Sequence, residues 1–393
     1  MSKGAGALAQ ASIVAASFSL LFIGTNAVNP LLPVYRDLLG LDALLLSLTF
    51  VCYVIPLVAV LLLLANPRFT RHAVPLLLVG LGVAIGSDLL LAHAEEWSIL
   101  LGRGVAGVAG GLGTGAAAAL VVAAIGAPGR ALAATGNLVG AVIGTAGSQL
   151  IVSALPAAAP QLVTLGHAAL VAVVLVAGAA VLAVRRRANR EALAATSGGT
   201  ARLRLDASAA RILVTGCIVW VGLSIAIVFG ATVFADLDQP VVRAVGPALM
   251  LGTSAAAQLA SPVLARVAPW MSGLVASALG AAGVVLGAVA ASAPLALVGF
   301  AVLGAGLGVA ARTGLVALTR GAEPARQGAL SSLFSAVTYG AAAVTMPLFG
   351  WIGNSTGLAP IALGGLAVVA VLCLVALLWA PRLRDTLDHG HAA

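Results

Sequence analysis

Charge is scarce in this chain. Only 8% of its 393 residues are Asp, Glu, Lys or Arg, against roughly 25% in an ordinary soluble domain, and a soluble fold is excluded. Cysteine is nearly absent: Cys52, Cys217 and Cys373 lie far apart, each inside an apolar stretch, with no CxxC or Cys/His spacing. Neither a disulfide framework nor a metal site follows from them, and no cofactor is expected. The sequence also lacks a Walker motif, HExxH and GxSxG, so an ATP-driven pump or a membrane hydrolase has no visible apparatus and the chain does not read as an enzyme. Gly102-Arg103-Gly104-Val105-Ala106-Gly107 fits GxGxxG, but no strand precedes it and no acid follows in a βαβ unit, which excludes a dinucleotide fingerprint.

What is abundant is apolar surface, at 61% of residues. About twenty such residues cross a bilayer as a helix. Apolar runs fall at 11–33, 43–64, 73–92, 97–121, 132–155, 162–184, 212–234, 244–264, 270–291, 295–318, 328–351 and 358–380, which predicts an all-α polytopic membrane protein of twelve helices. The first run is too long, and leads too directly into the second, for a cleaved signal peptide; Met1 to Gln10 reads as a short tail.

The formal charge of +8 resolves into topology. With a cytoplasmic amino terminus, the inner loops and tails hold Lys3, Arg68, Arg71, Arg130, Arg185, Arg186, Arg187, Arg190, Arg202, Arg204, Arg211, Arg266, Arg320, Arg326, Arg382 and Arg384, while the outer loops hold Arg36 and Arg243. The asymmetry predicts that both termini are cytoplasmic. Basic residues scattered over five inner loops and two tails make no nucleic-acid surface.

The longest loop, 185–211, carries seven of these arginines around Thr196-Ser197-Gly198-Gly199-Thr200 and reads as a solvated linker. It divides the chain into six-span halves, 1–184 and 212–393. The halves echo each other: Pro128-Gly129-Arg130-Ala131 is matched by Pro324-Ala325-Arg326-Gln327, and Gly107 and Gly111 by Gly304 and Gly308. Two pseudo-symmetric six-helix bundles with a site between them are the expected architecture. Glycines in steps of four, at Gly82 and Gly86, Gly107 to Gly115, Gly136 to Gly144, Gly283 and Gly287, and Gly304 and Gly308, predict helix faces where a neighbouring backbone comes close.

Gly24-Thr25-Asn26 followed by Pro30-Leu31-Leu32-Pro33-Val34-Tyr35, and Ile99, Arg103 and Gly107 in the fourth span, carry a resemblance. Together with the twelve spans they resemble the major facilitator superfamily over essentially the whole chain, in particular its bacterial twelve-span drug/proton antiporter-type branch. The resemblance implies alternating-access transport in a bacterial inner membrane and a proton-coupling role for Arg103. It also implies a gating role for Arg68 and Arg71, for which positive-inside anchoring is the alternative. Two motifs depart from the pattern. Pro67-Arg68-Phe69-Thr70-Arg71 keeps the arginines but lacks the family's acid and glycine, and Gly144-Thr145-Ala146-Gly147-Ser148-Gln149 lacks its span-five proline.

Asp88, Arg103 and Arg312 are the charged residues that fall within predicted spans. Asp88 and Arg103 each lie about six residues, roughly 9 Å, inside the hairpin of spans three and four. Equal depth makes an Asp88–Arg103 pair feasible, and the functional reading has Asp88 take up a proton and loosen its hold on Arg103; the bland alternative is a structural pair. Arg312 reads either as a snorkelling arginine or as a cation lining a cavity. Helical spacing aligns Ser19, Phe22, Asn26 and Asn29 in the first span, and Cys217, Trp220 and Ser224 in the seventh. Both stripes are expected to face the substrate cavity. Trp220 lies well inside a span, where it suits either a substrate wall or simple packing. Tyr53, Asn137, Gln258 and Tyr339 are the further cavity candidates. His167, near the end of span six, reads as a satisfied interface residue.

The function expected is proton-coupled export of a small organic solute by a monomer in the lipid bilayer, with solute uptake, facilitated diffusion or a lipid flippase as alternatives.

Overall fold

A backbone N–H or C=O left unpaired in hydrocarbon costs several kcal/mol, so an apolar chain of this composition satisfies its backbone within helices. The computed structural model describes residues 3–64, 66–126, 128–194, 206–320 and 324–386, and there the protein is all-helical. Contacts divide it into two compact units, Met1–Ala201 and Arg202–Ala393. The first comprises α1 (Lys3–Ala27), α2 (Leu32–Leu39), α3 (Ala43–Leu64), α4 (Ala73–Ala92), α5 (Glu96–Ile125), α6 (Pro128–Ala154), α7 (Ala159–Val184) and α8 (Arg186–Ala194). The second comprises α9 (Ala207–Val228), α10 (Gly230–Asp236), α11 (Pro240–Val267), α12 (Leu274–Val289), α13 (Ala293–Thr319), α14 (Pro324–Thr356) and α15 (Leu358–Ala376). Among the described residues, eleven helical segments are long and apolar enough to cross a membrane.

Local chemistry sets the breaks. Pro30 and Pro33 supply no N–H, and the first span leaves α1 through a 3₁₀ turn at Asn29–Leu31 before resuming as α2. Gly40, at φ 67°, closes α2 in the left-handed region. The helix α5 starts on a capping box between Glu95 and Ser98. The ninth apolar run, expected over 270–291, gives the shorter α12 of 16 residues. Its approach is not helical: Gly273 sits at φ 81°, and the carbonyls of Pro269 and Met271 accept from the backbone N–H groups of Arg384 (2.8 Å) and Leu383 (2.7 Å). The chain after α15 is thereby strapped along this segment, with Leu383 buried against Ala265 and Val309.

Glycine makes the close helix contacts. A Cβ at Gly107 would fall on the Tyr53 carbonyl of α3, and one at Gly304 on the Met250 carbonyl of α11; Gly111 and Gly308 repeat this one turn on, against Val60 and Ser254. The echo between the halves is therefore a shared packing device within each unit. On α6, Gly136, Gly140 and Gly144 lie along α1 in the same way. Gly82, Gly86 and Gly115 do not, since a Cβ on any of them would meet nothing within 4 Å. Gly80 makes the approach of α4 to α5, its Cβ position lying 3.3 Å from the Ala109 carbonyl oxygen.

Two expectations about the ends of the first half are revised. Residues 4–10 continue α1 rather than forming a tail, and Gln10 is fully buried. The 185–211 stretch begins as the docked helix α8, not as a solvated linker. Asn189 and Leu193, four residues apart on one face, are buried, while Arg186, Arg187 and Arg190 are exposed. The Gln10 Nε2 donates to the Leu120 carbonyl (3.0 Å) and to Asn189 Oδ1 (2.8 Å), and Arg185 Nε donates to Gln10 Oε1 (2.7 Å). Thr196 to Thr200, Arg202 and Arg204 lie outside the described residues.

Candidate functional site

The first unit buries two charged side chains among its helices. Asp88 on α4 and Arg103 on α5 are both 4% exposed. An unpaired charge at mid-membrane costs about 2.5 to 3.5 kcal/mol, and each has partners, though not each other. Ser87 Oγ donates to the Gly102 carbonyl at 2.8 Å, which sets residues 87 and 102 face to face across the hairpin. The next residue on each helix is turned about 100° away. Asp88 therefore points to α7 and Arg103 to α1 and α3. Depth alone made the Asp88–Arg103 pair feasible; rotation about the helix axes separates it.

Arg103 Nη1 donates to the Thr25 carbonyl (2.9 Å) and Nε to the Thr49 carbonyl (3.1 Å). The guanidinium carbon lies 4.7 Å from the centroid of the buried Tyr53 ring. Planar geometry and several fixed donors suit Arg to this combination of two carbonyls and an aromatic face. The Thr25 carbonyl lies just before the α1 break, and Arg103 thus ties α1, α3 and α5 at the weakest point of the first span.

Asp88 Oδ2 lies 2.7 Å from Nδ1 of His167 on α7, and Nε2 of that ring lies 2.9 Å from the Leu20 carbonyl on α1. His167 is 6% exposed. Gly24 admits the ring, for a Cβ there would coincide with the imidazole. His167 is the residue that sequence reasoning underrated. It is indeed satisfied at an interface, but its partner is the buried carboxylate. Asp88 and His167 each lie within about eight residues of their helix ends, and this shared depth was the available signal.

Among the other candidates in this unit, Phe22 is buried in an apolar cluster with Ala11, Val14 and Phe18, and meets Phe18 edge-on at 5.0 Å. Asn29 is buried, and half-buried Asn26 donates to the Phe22 carbonyl of its own helix (2.9 Å). Asn137 is half-buried on α6. Arg71 is exposed and donates to His72 (3.1 Å); the Arg68 side chain lies outside the described residues. In the second unit, Trp220 and Tyr339 meet edge-on with centroids 4.5 Å apart. Ser224 is buried one turn from Trp220. Gln258 donates to Ser254 (3.4 Å) on its own helix, and Arg312 is half-buried on α13. The described residues contain no group of three or more His, Cys, Asp or Glu placed to hold a metal.

The family model of the major facilitator superfamily matches residues 14–340. The chain belongs to the major facilitator superfamily. Its fold agrees with solved members at low identity. The crystal structure of the nucleoside transporter NupG aligns with a TM-score of 0.69 and 13% identity, over 94% of this chain and 98% of that one. The crystal structure of a D-xylose-proton symporter aligns with a TM-score of 0.68 and 12% identity, over 96% and 99%. Such identities speak for the fold alone. No curated protein sequence matches. As a major facilitator, the protein is a multi-pass membrane transporter and not an enzyme.

Proposed function

We propose that this major facilitator is a proton-coupled secondary transporter that exports a small organic solute across a bacterial inner membrane by alternating access. In this reading it acts as a monomer with both termini cytoplasmic, and twelve spans form two six-helix bundles, 1–184 and 212–393, joined by 185–211. The observation that carries it is Asp88, a carboxylate 4% exposed within an apolar span. Ionisable groups at such positions are costly, and in transporters they mark ion and proton pathways. Asn26, Asn29, Tyr53 and Asn137 in the first bundle, with Trp220, Ser224, Gln258, Arg312 and Tyr339 in the second, are the candidates for the solute cavity. Phe22 supports it from the core, and Arg68 and Arg71 are the candidate gate.

The resemblance of Gly24-Thr25-Asn26 and its following prolines to exporters favours efflux. Uptake is the second reading, favoured by the structural likeness to a protein named as a D-xylose-proton symporter. Vesicles containing purified protein and a trapped pH dye separate the two, with nucleosides and D-xylose as the first probes. A solute gradient that drives protons against its own direction means antiport, and with it means symport. Asp88→Asn is expected to abolish the coupled proton movement. Unchanged coupling in that variant removes Asp88 from the mechanism.

A further inference from the structure

The His167 ring has two neighbours of different kinds, and together they fix how many protons the group holds. A backbone carbonyl only accepts, so the Nε2 facing Leu20 O at 2.9 Å must carry hydrogen. The other nitrogen, Nδ1, faces Asp88 Oδ2 at 2.7 Å, a distance at which one hydrogen lies between the two atoms. Whether it sits on Nδ1 as imidazolium and carboxylate, or on Oδ2 as neutral imidazole and carboxylic acid, the total is the same and the group has no net charge.

Loss of the shared proton to water breaks this contact, because it leaves the Nδ1 lone pair facing a carboxylate, a repulsion that the apolar surroundings strengthen. An added proton is taken by the other carboxyl oxygen, with Oδ2 still accepting from Nδ1–H, but it leaves a net positive charge among apolar helices. The contact joins α4 to α7, while the same ring holds α1 through Leu20 and lies on Gly24. A single proton thus decides whether three helices are pinned through one imidazole.

Among the described residues of the elements around the dyad, no other ionisable group shares the role. The described part of α1 from Gly4 onward has none, nor has α6 between Gly136 and Ala154. On α5, Arg103 is committed to Thr25 O and Thr49 O. Tyr53 on α3 lies under Arg103, Cys52 precedes it, and Tyr35 on α2 donates to the Leu91 carbonyl. His93, Glu95 and Glu96 stand at the hairpin end, and on α8 the charges of Arg186, Arg187, Arg190 and Glu191 are exposed.

We propose that Asp88 and His167 form a one-proton switch, with the Leu20 carbonyl fixing its proton count, and that this dyad rather than Asp88 alone carries the coupled proton. The proposal deepens the proton-coupled reading given above and rests on it for the cycle that the switch serves.

Ring nitrogen-15 spectra of histidine-labelled protein in lipid nanodiscs test it without any solute. The chain has five histidines, and the signals lost in His167→Gln assign His167. We expect Nε2 to stay protonated between about pH 5 and 9, with a single change at Nδ1 that Asp88→Asn moves by more than about one pH unit. An unprotonated Nε2, or identical titration in both proteins, overturns the switch. Gln keeps a donor for Leu20 O but cannot take up a proton. Coupled proton movement should therefore fall at least about tenfold in His167→Gln, and full coupling in a folded His167→Gln protein overturns the carrier role. A dyad that titrates as expected in wild-type protein whose solute movement carries no protons leaves the switch standing and defeats the proton-coupled reading instead.

Discussion

Arg103 reaches the Thr25 carbonyl across 2.9 Å, from about two turns inside one span to the point where another is about to break. α1 runs out at Ala27 ahead of two prolines, so the carbonyls near its end lose their usual partners along the helix. A guanidinium supplies one of them from outside the helix.

Arg103→Lys tests this tie. An ammonium has no plane to lay on Tyr53 and cannot spread its donors toward Thr25 O and Thr49 O at once. One buried acceptor is left unsatisfied, at a cost of about 1 to 3 kcal/mol. The expected result is folded protein with a lower midpoint in thermal unfolding followed by tryptophan fluorescence. An unchanged midpoint would show that the two carbonyls find other donors.

Two glycine-to-alanine changes should differ in sign. At Gly24 a methyl group would occupy the His167 ring position, whereas at Gly82 it would meet nothing within 4 Å. Gly82→Ala is expected to be neutral or to stabilise by up to about 1 kcal/mol through helix propensity. Gly24→Ala should displace the imidazole, lower the unfolding midpoint and disturb the His167 ring signals. Equal behaviour of the two variants would mean that α1 and α7 adjust without strain.

The all-helical membrane fold and the glycine contacts of Gly107 with Gly111 and of Gly304 with Gly308 were legible because each is a one-dimensional property: run length, or spacing along one helix. The pairing of Asp88 was not. Depth in the membrane follows from counting residues, but which neighbour a side chain meets depends on rotation about the helix axis, and that is set by the contact of Ser87 with Gly102 across the hairpin. The docking of α8 was hidden for a related reason. Its composition is dominated by exposed arginines, and only Asn189 and Leu193 mark the buried face. The segment before α12 is paired with Leu383 and Arg384, more than a hundred residues away in sequence.

Gln10 is the hub that holds α8. Its amide is shared among Leu120 O, Asn189 Oδ1 and Arg185 Nε, and its replacement by Ala leaves all three without that partner. A buried polar network loses more than its separate bonds suggest when its central member goes. Limited trypsin digestion should then cut Gln10→Ala faster at Arg185 to Arg190 than wild type, since proteolysis follows the population of the locally open form. Equal cleavage rates would place the stability of α8 in Leu193 and its apolar neighbours alone.

The aromatic pair of the second unit separates packing from solute contact. Trp220 and Tyr339 meet edge-on at 4.5 Å, a contact worth about 0.5 to 1.5 kcal/mol beyond the area it buries. If the pair only packs, Trp220→Ala and Tyr339→Ala lower the unfolding midpoint and leave solute handling unchanged. If it walls the cavity, Trp220→Phe, which keeps a ring but loses the indole N–H, has little effect on the midpoint and weakens solute binding about tenfold, as loss of one hydrogen bond of about 1.4 kcal/mol requires. The proposed function predicts the second pattern. Ligand-dependent thermal shifts measured for all three variants distinguish the two, and a binding loss confined to variants that also unfold early would assign the pair to packing.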